Sequence, residues 1–325
     1  GAPRAGSVRY ARTMTGPSML LRDAQAPPWR WLVAGALWLW MLSAPAAEPG
    51  AQDGATDRDG AQFFVRANLE FTLFHELGHM LIDELALPVL GTEEDAADRI
   101  AVVAMVLARQ ERAPEDIIPW LFAVAGDWYT EWELGDGGRE HTSIPYWEQH
   151  PLEIQRFHSI VCLVFGSDPD RLDGLVDTEL LPFERAVSCE REYRLAQRAV
   201  QWVLDTYGQR GQPGRAGAIR VRYLAARPEQ RALADWAAAS GVAETIGERL
   251  AARLRLPRDI AIEFDDCPGN PDAVWRQDLG QVSICYQLLE HFREIGRYRI
   301  THNQRACGLP VVRRFVGRIL ACPEP

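Results

Sequence analysis

From Gln62 to about Gly208, apolar residues return with a helical period in five runs: 65–86, 93–110, 115–133, 151–165 and 184–207. Pro88, Gly91, Pro114, the glycine-rich 135–138, Pro169 and Pro182 stand between the runs, where helices end. No other feature restricts the fold as strongly, because amphipathic helices in series must bury their stripes against one another. The Gly/Pro/Arg-rich stretch 208–217 then interrupts the pattern and is the best boundary in the chain. Beyond it, 229–254 has helical spacing, while 260–264 and 281–286 alternate as strands do around a turn-rich 267–272. Such strands form a hairpin or a neighbouring pair. The expected fold class is therefore α+β, dominated by helices and carrying a small β element.

The chain has 325 residues, of which 47% are hydrophobic and 25% charged, which is the composition of an ordinary globular protein. Its net charge of −10, with no concentrated Lys/Arg patch, argues against nucleic acid as a partner. Near the N-terminus, Arg30 precedes an apolar run, 31–42, followed by small residues up to Ala47. This order reads as a secretory signal, so 1–47 is expected to be a signal peptide or N-terminal extension, with translation starting at Met14 or Met19. The run is shorter than the ~20 residues that span a bilayer, so a membrane role is confined to an uncleaved N-terminal anchor. A polar linker at 48–61, a helical region at 62–207, and a second region at 218–325 packed on it complete the expected organisation.

All six cysteines, Cys162, Cys189, Cys267, Cys285, Cys307 and Cys322, follow the export signal. An even count in an exported chain predicts disulfides, and pairing by sequence neighbourhood is the simplest of the 15 connectivities. None of the spacings is Cys-x-x-Cys, so a zinc or redox role for these residues is not expected. The compartment is expected to be secreted or periplasmic, or else a membrane-anchored position facing outwards.

The run 65–86 contains Phe71-Thr-Leu-Phe-His-Glu-Leu-Gly-His-Met80. Residues four apart on a helix share a face, so His75 and His79 converge on one point at the spacing a Zn²⁺ ion needs. Glu76 is turned about 100° away and can reach a water at that point without filling a ligand position. A third ligand is expected from the following helix. Thr92 is its N-cap, Glu94 its first inward acid, and Asp98, four residues on, the carboxylate that orients a ligand histidine. Glu93 and Asp95 read as ordinary first-turn acids. His150 is the candidate donor to an oxyanion; His141, Arg156 and His158 rank below it, and Trp120, Trp128, Trp132 and Trp202 read as core.

His75-Glu-x-x-His79 with Glu94-x-x-x-Asp98 resembles the gluzincin pattern of thermolysin-like zinc peptidases, at a shorter spacing. The chain is more similar to a bacterial family of exported metallopeptidases of unknown substrate. The likeness rests on Phe74-His-Glu-Leu-Gly-His79, Leu87-Pro-Val-Leu-Gly91, Glu93-Glu-Asp-Ala-Ala-Asp98, His150 with Gln155-Arg-Phe157, Cys162 with Gly166, and Cys189-Glu-x-Glu-Tyr193. A second block, Phe264-Asp-Asp-Cys267 with Asn270 and Ile284-Cys-Tyr286, also resembles that family. The resemblance covers about 62–205 and implies a zincin-like fold, a Zn²⁺ cofactor, and a peptide or protein substrate. The expected activity is peptide hydrolysis by a zinc-activated water with Glu76 as general base, and 260–264 or 282–286 offers an edge for the substrate. Two alternatives stay open: an exported binding or structural protein that keeps zinc without turnover, and a hydrolase of a non-peptide amide.

Overall fold

The computed structural model of the chain describes residues 49–110, 116–135, 150–209, 216–267 and 271–324. The expected leader 1–47, His141 and the middle of the 208–217 break lie outside the described residues.

Helix α1 (Pro49–Glu84), 36 residues long, is the spine of the molecule. It starts upstream of the expected 65, so the polar stretch after Pro49 forms its first turns and not a linker. Proline has its φ preset for the first helical position, and Ala51, Gln52 and Ala55 are good helix formers. One stripe of α1, with Phe64, Ala67 and Phe71, enters a core shared with α2 (Glu93–Gln110), α3 (Ile118–Leu134), α4 (Glu153–Ser167) and α5 (Phe183–Thr206). Another, with Val65, Leu69, Leu73, Leu77 and Met80, enters a second core on the opposite side. A helix covered on both sides must be apolar nearly all round, as the run 71–82 is. Each fully buried Leu, Phe or Met contributes roughly 1.5–3 kcal/mol.

Helices α1 and α2 approach closely where Gly78 meets Ala97: a Cβ on Gly78 would lie 3.2 Å from the Ala97 Cα. That contact brings the first turn of α2 alongside the histidines of α1. The start of α2 is fixed by Thr92, whose Oγ1 accepts the Asp95 backbone N–H at 3.2 Å.

The second core lies between α1 and a four-stranded sheet. Its strands are β1 (Ile219–Tyr223), β2 (Ile260–Asp265), β3 (Ala273–Arg276) and β4 (Gln281–Cys285), in the order β1-β2-β4-β3. β2 pairs in parallel with both β1 and β4, and the hairpin is β3–β4. The expected strands are thus neighbours, but both are interior, so neither 260–264 nor 282–286 has a free edge; the edges belong to β1 and β3, and β3 is the one beside α1 at Glu76. The expected helix 229–254 is two helices, α6 (Arg231–Ser240) and α7 (Val242–Arg253), parted at Gly241, whose φ of 61° is least costly for a residue without Cβ. Helix α8 (Tyr286–Thr301) packs along α1, and the short α9 (Gln304–Cys307) and α10 (Pro310–Val316) close the chain. Residues 47–325 form one compact unit.

The three disulfides join sequence neighbours, Cys162–Cys189, Cys267–Cys285 and Cys307–Cys322, and no cysteine is free. Among the tryptophans, Trp120 is buried, Trp128 and Trp132 are half-buried, and Trp202 is exposed, so only the first is fully core.

Candidate metal centre

His75 and His79 stand one turn apart on α1, with their Nε2 atoms 3.1 Å from each other. Each ring is held from behind by a carboxylate. Asp98 Oδ1 lies 2.8 Å from His75 Nδ1, and Glu93 Oε1 lies 2.6 Å from His79 Nδ1. A carboxylate at Nδ1 assigns the ring proton there and leaves the Nε2 lone pair facing forward. Glu94 completes the group, with Oε2 at 3.3 Å from His75 Nε2 and Oε1 at 3.6 Å from His79 Nε2. One donor atom from each of His75, His79 and Glu94 falls within 4.8 Å of the others, the single such group among the described residues.

Three electron-rich atoms aimed at one point repel unless a cation lies between them. Glu94 Oε2 is enclosed and faces His75 Nε2 at 3.3 Å, a pairing that needs a proton or a metal ion between the two lone pairs. Two nitrogens bound to one zinc at about 2.0–2.1 Å in tetrahedral geometry would be about 3.3 Å apart, close to the 3.1 Å separation here. The residues therefore fit a divalent ion.

The electrostatics agree. Burial works to lower the His79 pKa, but the Glu94 and Glu93 carboxylates outweigh it and raise it to about 9. His75 is likewise raised, with Asp98 and Glu94 overcoming its burial. Burial would push Glu94 up, yet the two histidines hold it well below the usual carboxylate range. The site thus favours positive charge, as protons on the imidazoles or as a metal that displaces them.

Behind this group stands a second layer. Asp98 is 4% exposed and receives both Nε and Nη2 of Arg156 on α4, at 2.9 and 2.5 Å. The Arg156 guanidinium lies over the Trp128 ring, 3.7 Å from its centroid. Arg156 was expected to rank below the site residues, yet it orients the carboxylate that orients His75. Glu93 is the second correction: it is bonded to His79, while Asp95 stays at the exposed helix start. A long side chain at the first helical position swings sideways, so face periodicity alone does not place it. For Arg156 the one available signal was that a buried Asp98 requires a cation.

Glu76 is 6% exposed, with Oε1 at 4.0 Å from His75 Nε2. Burial raises its pKa to about 7, against the pull of His75, His79 and the Trp275 backbone N–H. That amide belongs to edge strand β3, whose Trp275 side chain also donates from Nε1 to Asp83 at 2.7 Å. His150 is exposed at the mouth, its Nε2 3.2 Å from Glu94 Oε1. His158 takes no part and packs on Phe157. Two adjoining cavities of about 720 and 360 Å³ flank Glu76, and β3 forms part of the wall of both.

Residues 44–204 match the profile of a protein family described as “Putative metallopeptidase”. The matched span contains the two histidines, all the acids around them, His150 and Arg156. No curated protein and no solved structure matches the chain. The family match supports a metal-dependent enzyme that acts on peptides.

Proposed function

We propose, with that match as premise, that this chain is a zinc-dependent peptidase in which His75, His79 and Glu94 hold the ion and Glu76 is the general base. The observation that carries the reading is the convergence of both Nε2 atoms and the Glu94 carboxylate on one point, with the buried Glu76 carboxylate beside them. Zinc at this point would lower the pKa of a bound water from ~15.7 towards ~7 and polarise a carbonyl. Glu76, buried beside that point, accepts a proton from the attacking water and returns it to the leaving amine. His150 donates to the oxyanion from the mouth. Asp98 and Glu93 keep Nδ1–H of each histidine pointed away, and Arg156 keeps Asp98 ionised. The outer edge of β3 aligns an extended substrate beside Glu76.

The three disulfides favour a secreted or periplasmic location, since such bonds persist in oxidising compartments. Among the described residues, no helix is long and apolar enough to cross a membrane.

The deciding experiment pairs metal analysis with turnover of a general protein substrate. Wild type should carry about one zinc per chain and cleave, and Glu76→Gln should keep the zinc and lose ~10²–10⁴-fold in rate. An unchanged rate in Glu76→Gln would leave the ion a structural role only.

A further inference from the structure

The smaller cavity extends from Glu76 towards α3 and α8, where its wall includes Asp127, Glu131, Glu153, Asp272 and His291. Asp127 is 5% exposed and forms part of this wall, and its enclosed Oδ1 has no hydrogen-bond partner among the described residues. A carboxylate oxygen in that position lacks a donor and carries an unmet desolvation cost. Neighbouring cations among the described residues do not supply one. Arg156 is committed to Asp98. Arg299 donates to Thr130 Oγ1 at 3.3 Å and acts on Asp127 through charge alone. His291 bonds Glu131, one turn along α3. Once those pairs are set aside, the wall keeps the carboxylates of Asp127, Glu153 and Asp272. Their atoms do not converge as metal ligands do, since only His75, His79 and Glu94 form such a group among the described residues. The volume, about 360 Å³, far exceeds the ~30 Å³ share of one water and admits a long side chain.

We propose that Asp127, supported by Glu153 and Asp272, binds a positively charged group of the substrate next to the scissile bond. The group is the guanidinium or ammonium of an Arg or Lys side chain, or a free α-amine, because both donate charge-assisted hydrogen bonds to a buried carboxylate. This inference rests on the peptidase reading for its substrate class. Burial, with Glu131 adding to it, raises the Asp127 carboxyl to about 7, and an entering cation would reverse that shift.

The test measures binding to the zinc-loaded full chain carrying Glu76→Gln, so that nothing is cleaved. Three peptide sets are compared by calorimetry. The first is acetylated and amidated, with one Arg moved through each position of a neutral sequence. The second has citrulline in place of Arg, and the third has a free amino terminus and no basic side chain. One Arg position should bind on the order of 10- to 100-fold more tightly than its citrulline counterpart, and adding Asp127→Asn should erase the ratio. If the α-amine is the group, the third set gains that advantage and the Arg scan shows none. Equal binding by all three sets overturns the proposal, as does a ratio that survives Asp127→Asn. Wild-type turnover of the same peptides separates the two readings. Cleavage at equal rates for all three sets removes the subsite and keeps the peptidase; a binding preference for one set with no cleavage of any peptide does the reverse.

Discussion

The two sides of α1 treat polar groups in opposite ways. Towards α2 and α4, each imidazole is backed by a carboxylate, and the more buried of these by a guanidinium, in the chain His75–Asp98–Arg156. Towards α3, α8 and β3, Asp127 Oδ1 is enclosed with no donor among the described residues, and the amide of Trp275 is the contribution of the sheet edge to Glu76. The first side is organised before anything binds, as a centre that must hold an ion in fixed geometry requires. The second is left incomplete, as a surface that receives a variable group requires. Rigidity and vacancy thus divide along one helix.

The largest effect should come from breaking the organised side at its ligands. His75→Ala or His79→Ala should reduce bound zinc from about one per chain to near zero and abolish cleavage, since two ligands cannot hold the ion as three do. Inductively coupled plasma analysis of dialysed protein reads this directly, and stoichiometric zinc in the double mutant would place the ion elsewhere.

Next come the groups behind the ligands. Asp98 and Arg156 have side chains only 6% and 8% exposed, so removing one strands the other as a buried charge. Arg156→Ala should destabilise the metal-free fold by about 3–5 kcal/mol. Asp98→Asn, which keeps the shape, should instead weaken zinc binding or rate about 10–100-fold. Urea unfolding in chelator and zinc competition titrations separate the two effects. Near-equal stability of Arg156→Ala and wild type would mean that the layer behind His75 is not organised as described.

How much of this was legible follows the same division. His75, His79, Glu94 and Asp98 could be read because two helices with unambiguous periods each carry a pair four residues apart. The start of α2 could be read because Thr92 is a cap. Arg156 comes from 58 residues beyond Asp98, and no local period reports that distance. β1 carries alternating Ile219, Val221 and Tyr223 and was detectable, but β3 is four residues inside a turn-rich stretch. Parallel pairing of β2 with β4, with β3 on the far side of β4, is a matter of strand order, which alternation cannot express. Asp127 and His291 are likewise brought together only by the contact of α3 with α8.

The incomplete side should show itself in the pH dependence of stability. The folded pKa of Asp127, about 7, lies above its unfolded value near 3.8. Below pH 3.8 both states hold the proton; between there and 7 only the native state does, so its stability falls as pH rises through that window and levels off above it. At about 1.36 kcal/mol per pKa unit, the full shift corresponds to up to ~4 kcal/mol. Asp127→Asn should remove this fall, gaining stability relative to wild type at pH 8 more than at pH 5 in metal-free urea unfolding. A difference between the two proteins that does not change with pH would show that Asp127 is ionised throughout and already partnered.

The smallest effect tests the weakest member of the organised side. Glu93 is bonded to His79, but its side chain is 46% exposed, against 16% for Glu94 and 6% for Asp98. Solvent and salt screen an exposed pair, so its hold on the imidazole is worth far less than that of Asp98. Glu93→Gln still leaves an amide oxygen able to accept from Nδ1–H and removes only the charge. Zinc affinity should therefore drop by less than about tenfold, at the low end for groups behind a ligand, and the deficit should shrink as salt rises from 20 to 500 mM. Asp95→Asn touches no histidine and should cost only a few tenths of a kcal/mol of helix stability through the macrodipole, with zinc affinity unchanged. The pair of variants is diagnostic because both remove one first-turn charge from the same helix. Equal zinc affinities would mean that Glu93 acts on the helix alone and that His79 is oriented by Glu94 and the metal. A deficit confined to Glu93→Gln and sensitive to salt would show that the organised layer extends to the surface.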